Sequence, residues 1–151
     1  MAVALLTVRH GQLSVLLTER TSAREPRWAL PEGPIDRSED GDAAALRQLR
    51  AAIGIDVEPW HIEQLRTFTD PPPKGSKRTV TIAYVAFIPN LPTPRPAKEG
   101  AGVRFWPVED LRPGDEPDGQ PILAAGHDQI LTDAVERARA KLEYTTLATA
   151  F

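Results

Sequence analysis

Two apolar runs near the start of the chain predict a pair of β-strands. Residues 2–9 and 13–19 are rich in valine, leucine and threonine, and the short segment between them contains Gly11. Such runs on either side of a glycine-containing connection are typical of a β-hairpin. The following residues, 20–39, contain three prolines, so we predict a long loop there.

A helix is predicted directly after this loop. The run from residue 43 to residue 53 consists mainly of alanine, leucine, arginine and glutamine, which have high helix propensity. Asp40 is suited to cap its N-terminus, and Asp42 lies where the helix dipole favours negative charge. Gly54 suits the position that follows the last helical residues.

The middle of the chain predicts strands joined by loops. Apolar, β-prone residues at 62–68, 79–88 and 103–107 predict three strands, and residues 108–111 predict a single helical turn. Eleven of the 15 prolines lie between residues 71 and 121, which favours loops and short strands throughout this part of the chain.

A second helix is predicted from Asp128 to Leu142, where apolar residues recur with a helical period. Asp133 and Arg137 have the spacing of an ion pair within that helix. We predict one domain over residues 1–143 and a tail or linker over 144–151. Strands of mixed character with two separate helices predict an α+β fold in which helices pack on a mixed sheet.

Composition limits the classes of function. The 151 residues suffice for one ordinary domain, and 18 basic against 21 acidic residues give a net charge of −3. Without a basic stripe, this chain alone is a poor candidate for sequence-independent nucleic-acid binding. The absence of cysteine excludes disulfides and thiolate metal sites. No apolar run reaches the roughly 18 residues of a membrane span, so we expect no membrane contact and a cytoplasmic location.

One segment carries a spaced motif. A glycine is followed after five residues by a glutamate, and after seven more by an arginine, an apolar residue, a glycine and another apolar residue. This pattern resembles the signature of the Nudix family, and it implies the Nudix fold, an α/β/α sandwich around a mixed β-sheet. The matching positions are Gly33, Glu39, Arg47, Leu49, Gly54 and Ile55, preceded by Trp28, Leu30 and Pro31.

Three glutamates of that signature are replaced, by Gln48, Ala51 and Ala52. At spacings of i, i+3 and i+4 these positions share one helix face. In the family, carboxylates there gather the metals that polarise a diphosphate and activate water, and magnesium requires such oxygen ligands. Alanine has no ligand atom and glutamine offers one neutral oxygen. We therefore expect no catalytic residue, no metal and no cofactor at this face.

Other signature residues are kept. Glu39 and Arg47 resemble the pair that joins the loop to the helix in this family, so the resemblance implies an intact scaffold. Glu32 stands where family members often have glycine, and it could alter the loop or place a carboxylate near the pocket.

Residues 66–68, 70–71, 77–81 with the strand that ends at 88–89, and 105–111 resemble the ADP-ribose-pyrophosphatase-like branch of this family. Residues 127–131, 134–137 and 140–151 resemble the Nudix-related transcriptional regulators of NAD metabolism. In those regulators an N-terminal Nudix domain senses ADP-ribose or a related nucleotide, and a C-terminal winged helix binds DNA. The resemblance implies a nucleotide ligand, a homodimer, and DNA contact only through a C-terminal domain not present in this chain.

Several residues are candidates for ligand binding, and each also has a purely structural interpretation. An indole can stack on adenine, but it more often packs in a core. Basic residues can contact phosphates, but they more often face solvent, and carboxylates near the motif can be explained by helix capping and the pair with arginine. The candidates are Trp28, Arg37, Glu39, Arg47, Lys77 and Arg78.

Three functions stay open at this point. The first is a non-catalytic or weakly catalytic nucleotide sensor. The second is a hydrolase of nucleoside diphosphate derivatives that holds Mg²⁺ or Mn²⁺ through relocated ligands, drawn from Glu32, Glu39, Asp40 and Glu109. The third is a protein-interaction module, suggested by the apolar residues between Leu147 and Phe151.

Overall fold

The computed structural model describes residues 1–20, 27–54, 56–72, 74–75, 77–89, 91, 102–111, 122–124 and 126–150. In this part of the chain, seven strands and two α-helices follow one another, with two 3-10 turns at Pro59–His61 and Val108–Leu111. The strands and helices are β1 (Ala2–Arg9), β2 (Gln12–Arg20), β3 (Arg27–Ala29), α1 (Gly41–Ile53), β4 (Ile62–Phe68), β5 (Thr81–Phe87), β6 (Val103–Pro107), β7 (Ile122–Leu123) and α2 (His127–Ala150).

The strands form one mixed sheet in the order β4-β5-β1-β2-β3-β7, and β6 also pairs with β2. β1 runs parallel to β5, and β3 runs parallel to β7, whereas the other pairs are antiparallel. Residues 2–7 of β1 are buried without interruption, because each face of this central strand is covered by a helix.

The two faces of the sheet form two cores. The face under α1 contains Val3 and Leu5 of the central strand, together with Leu49 of the helix. The opposite face contains Ala4 and Leu6, and it packs against the apolar side of α2. This arrangement is the α/β/α sandwich that the sequence motif implied.

The limits of α1 follow from its capping residues. The Asp40 carboxylate accepts a hydrogen bond from the Ala43 amide at 2.9 Å. Gly54 has φ of 74°, a left-handed conformation that favours glycine, and its amide donates to the Arg50 carbonyl at 2.8 Å. The predicted N-cap and the predicted glycine stop are both confirmed.

The prediction of an uninterrupted loop over residues 20–39 is wrong. Residues 27–29 form β3, which pairs with β2 and with β7. The second partner lies almost 100 positions away, so local sequence gives little indication of this strand. The predicted strand at 79–88 is shorter in the structure, and the strands at 62–68 and 103–107 are confirmed.

The second helix differs from its prediction at both ends and in its ion pairs. It begins at His127 and continues to Ala150, beyond the predicted end at Leu142. The predicted pair between Asp133 and Arg137 is wrong, because both side chains bind residues of β4. Asp133 accepts from Arg66 at 2.7 Å, and Arg137 donates to Glu63 at 2.7 Å. No helix in the described part of the chain is long and apolar enough to cross a membrane.

Candidate functional site

An ion pair joins α1 to the loop that precedes it. The Arg47 guanidinium contacts both carboxylate oxygens of Glu39, with Nε at 3.2 and 3.1 Å from them and Nη2 at 2.5 Å from Oε1. Nη2 also donates to the Pro34 carbonyl at 2.9 Å, and Glu39 accepts from the Asp36 amide at 2.9 Å. These contacts fix residues 34–39 against the helix.

The electrostatics of this pair favour its charged form. Hydrogen bonds from Arg47 and from the Asp36 amide lower the pKa of Glu39. The same contact with Glu39 raises the pKa of Arg47. The structural role that the motif implied for the two residues is confirmed by this geometry.

The three substituted positions follow on the next turns of α1. Gln48 is half-buried, and its side-chain amide lies against Gly33. A Cβ atom at position 33 would overlap this amide. Ala51 is exposed, whereas Ala52 is 7% exposed and belongs to the core under α1. The face therefore runs from solvent into the core, and its only ligand atom is one neutral amide oxygen. This donor set does not fit the hard, multiply charged environment that a magnesium ion prefers.

A second cluster lies beside the same loop. Glu32 forms an ion pair with Arg20 of β2, and its other carboxylate oxygen lies 3.0 Å from Nε2 of His127. Nδ1 of His127 accepts a hydrogen bond from the Leu30 amide at 3.0 Å. The sequence singled out Glu32, which stands where family members often have glycine, but nothing in it connected this residue to His127, the residue before the predicted start of the second helix.

The remaining carboxylates of the relocated-ligand hypothesis lie elsewhere. Asp40 caps α1, and Glu109 is exposed on the 3-10 turn after β6. In the described ranges, no three histidine, aspartate or glutamate side chains are grouped as a metal site would require. Glu32 already pairs with Arg20 and His127 of this chain, and Glu39 already pairs with Arg47.

Trp28 lies on β3 and faces the core under α2. Its ring meets the Trp106 ring edge-on, with 5.3 Å between centroids and 71° between planes. The Arg104 guanidinium lies over the other indole, 4.0 Å from its centroid. Both indoles are half-buried, so part of each remains exposed to solvent.

The other basic candidates are exposed. Arg37 lies in the loop before α1, and Lys77 and Arg78 lie in the segment that leads into β5. The Arg78 guanidinium donates to the Thr69 carbonyl at 3.1 Å. Ala83, near the start of β5, pairs with Ala2, which also bridges to Glu32, so this segment reaches the same end of the sheet as the loop. The structure thus brings Glu39 and Arg47 into contact, and the other candidates occupy separate segments.

Comparison with solved structures identifies similar folds. The Nudix domain of Shewanella oneidensis NrtR, complexed with ADP ribose, is 28% identical, with a TM-score of 0.72 over 91% of this chain and 85% of that one. NrtR from the same organism in complex with a 27mer DNA is 28% identical, with a TM-score of 0.71 over 93% of this chain. A MutT/nudix family protein from Enterococcus faecalis is 27% identical, with a TM-score of 0.70 over 92% of this chain.

The matches to the two longer proteins cover nearly all of this chain but a smaller share of the other protein. This chain spans only 61% of NrtR in the DNA complex and 61% of the Enterococcus protein. No curated protein matches the sequence. The model of the NUDIX domain matches residues 1–126, which is most of the chain. With the sandwich fold and the loop–helix segment in place, the chain belongs to the Nudix domain family.

Proposed function

We propose that this chain binds ADP-ribose or a related nucleotide without hydrolysing it, or hydrolysing it only weakly, and serves as the sensing part of a transcriptional regulator. One observation carries the proposal. The Glu39–Arg47 pair that shapes the loop is intact, while the adjacent positions 48, 51 and 52 lack carboxylates. Such a site keeps its shape but has little means of activating water through a metal.

The ligand class is supported by the similar NrtR domain, which was solved with ADP ribose. In this chain we assign the phosphates to exposed basic residues, Arg37, Lys77 and Arg78, which lie near the loop or at the same end of the sheet. We assign the base to the exposed part of Trp28. Charge-assisted hydrogen bonds from arginine to phosphate are strong and directional, so these side chains would contribute most of the polar recognition.

The regulatory part of the proposal concerns regions outside this chain. NrtR was also solved with DNA, and this chain spans 61% of that protein. We propose that DNA contact depends on a further domain, that the Nudix domains pair as a homodimer, and that the regulator acts in the cytoplasm. A nucleotide that changes the geometry of the dimer would then change DNA affinity through a coupling free energy.

The first experiment is a calorimetric titration of the full chain with ADP-ribose, with and without Mg²⁺, followed by chromatography of the recovered nucleotide. Metal-independent binding with intact ADP-ribose supports the proposal. Metal-dependent release of AMP contradicts it and favours a hydrolase with relocated ligands. The absence of saturable binding favours a protein-interaction module.

A matched pair of variants tests the assigned residues. Lys77→Ala/Arg78→Ala removes two candidate phosphate contacts, whereas Arg139→Ala/Lys141→Ala removes the same charge from α2. We expect the first pair to weaken binding about ten-fold per lost contact and the second to leave it unchanged. Equal effects would mean that only net charge matters.

A further inference from the structure

His127 is the first residue of α2, and its side chain is 7% exposed. The ring lies between the helix and the loop before α1, where Nδ1 accepts from the Leu30 amide and Nε2 faces Glu32. Leu30 and Glu32 are 97 and 95 positions away in sequence. One buried ring therefore contacts two points of the loop that carries the Nudix signature.

The hydrogen bonds determine where the ring carries its proton. Since the Leu30 amide donates to Nδ1, that nitrogen is unprotonated, and the proton of the neutral ring lies on Nε2 and is donated to Glu32. Burial lowers the pKa of His127 to about 4, and the nearby Arg20 acts in the same direction. The ring is therefore neutral near pH 7, with both nitrogens occupied.

The loop segment held by this ring is also bound from the sheet. The Val3 amide donates to the Pro31 carbonyl at 2.9 Å, and the Gly33 amide donates to the Met1 carbonyl at 3.0 Å. Glu32 bridges to β1 through its backbone and pairs with Arg20 of β2 through its side chain. Residues 30–33 are thus fixed by β1, β2 and α2 together. Among the described residues, the hydrogen bonds with α2 are made by the His127 ring alone.

We propose that His127 is a positioning residue that couples the loop at residues 30–33 to the first turn of α2. Through it, a displacement of the loop changes the hydrogen bonds at the start of the helix, and a displacement of the helix changes the loop. The consequence for ligand affinity rests on the proposed nucleotide binding. The coupling itself is a property of the ligand-free protein.

The contact is tested in the ligand-free full chain by NMR. We expect the ¹⁵N shifts of His127 to show an unprotonated Nδ1 and a protonated Nε2. In His127→Ala, exchange of the Leu30 amide should become about ten-fold faster, since one hydrogen bond is lost. His127→Gln, which keeps one acceptor and one donor, should restore part of the protection. A proton on Nδ1, or unchanged Leu30 exchange in His127→Ala, overturns the proposal.

Two further variants test the coupling if His127→Ala does not fold. Glu32→Ala removes the acceptor that the loop offers to Nε2 of His127, together with the ion pair to Arg20, and we expect faster amide exchange at residues 127–131 of α2. Asp133→Asn is the matched control, because it breaks a contact of α2 with β4 and leaves the loop untouched. It should not alter Leu30 exchange. A Glu32→Ala variant with unchanged exchange in the first turn overturns the coupling.

The ligand-bound arm separates this proposal from the proposed function. If ADP-ribose binds, His127→Ala should weaken its affinity about ten-fold and Asp133→Asn should not. Unchanged affinity in His127→Ala overturns the link between the coupling and ligand binding. If ADP-ribose does not bind the wild-type protein, the proposed function fails, and the coupling is decided by the ligand-free exchange data alone.

Discussion

Arg47 and Gln48 are neighbours on α1, but they belong to two different parts of the Nudix signature. The part that contains Arg47 is kept in this chain, and the metal-binding part that begins at Gln48 is replaced. Arg47 keeps its contacts with Glu39 and the Pro34 carbonyl, which hold the loop to the helix. Gln48 begins the face where alanine and glutamine replace the metal-binding carboxylates. The comparison teaches that the shape of this segment does not depend on its metal chemistry, because an ion pair and apolar packing maintain the shape.

The largest effect is expected from the apolar side of the same helix. Leu49 is fully buried under α1, so Leu49→Ala leaves a cavity and should lower the free energy of unfolding by about 3 kcal/mol. Ala51→Ser, on the exposed side, should change it by less than about 0.5 kcal/mol. Urea denaturation of both variants measures the difference. Similar values for the two would mean that α1 is not oriented as described.

His127, which binds the same loop at Leu30 and Glu32, should make the stability of the protein depend on pH. The folded pKa of about 4 lies below the ordinary 6.5, so the unfolded chain binds the proton more readily. Stability is therefore full above pH 6.5 and falls between pH 6.5 and 4, by on the order of 2 kcal/mol. Arg20 favours the neutral ring, whereas Glu32 and Asp128 oppose it.

Denaturation of the wild-type protein and of His127→Gln across this range separates the histidine from other groups. The glutamine variant should lose most of the decline between pH 6.5 and 4. An identical decline in both proteins would assign the effect to carboxylates instead.

The ion pair that shapes the loop is tested by Arg47→Lys. Lysine keeps the charge but cannot reproduce the bidentate contact that the arginine guanidinium makes with the Glu39 carboxylate. We expect ADP-ribose affinity to fall about ten-fold, with the fold preserved, since the loop is less well fixed. Arg50→Lys is the control, because Arg50 lies on the same helix, is exposed, and pairs with Asp56 beyond the end of α1 rather than with the loop. Calorimetry measures both, and equal affinities would argue against a role for the pair in ligand binding.

The smallest expected effect is a gain. Gln48→Glu/Ala51→Glu/Ala52→Glu restores the three carboxylates and should create weak affinity for Mg²⁺ or Mn²⁺, with a Kd of about a millimolar. Because Ala52 is nearly buried, the Gln48→Glu/Ala51→Glu variant guards against unfolding. If neither folded variant shows heat of binding with Mg²⁺ or Mn²⁺, the restored side chains do not converge on one metal site.

Features fixed by neighbouring residues were predictable from the sequence. The cap at Asp40, the stop at Gly54 and the pair of Glu39 with Arg47 depend on spacings of a few residues or on a recurring motif. The hairpin of β1 and β2 is another local feature. The ion pair predicted between Asp133 and Arg137 failed, because β4 offers both side chains partners of opposite charge.

The sequence by itself determined the hairpin, the loop–helix segment and the loss of its carboxylates, because hydrophobic period, capping and motif spacing act over short distances. It indicated the sandwich fold through the resemblance that the motif carries. Only the tertiary structure decided that β3 pairs with β7, that α2 binds β4, and that His127 meets Glu32. Those contacts join residues far apart in the chain, and they form because packing of the helix and strands brings these groups together. The His127 ring is buried and must find partners, whereas the ion pairs of α2 with β4 remain partly exposed.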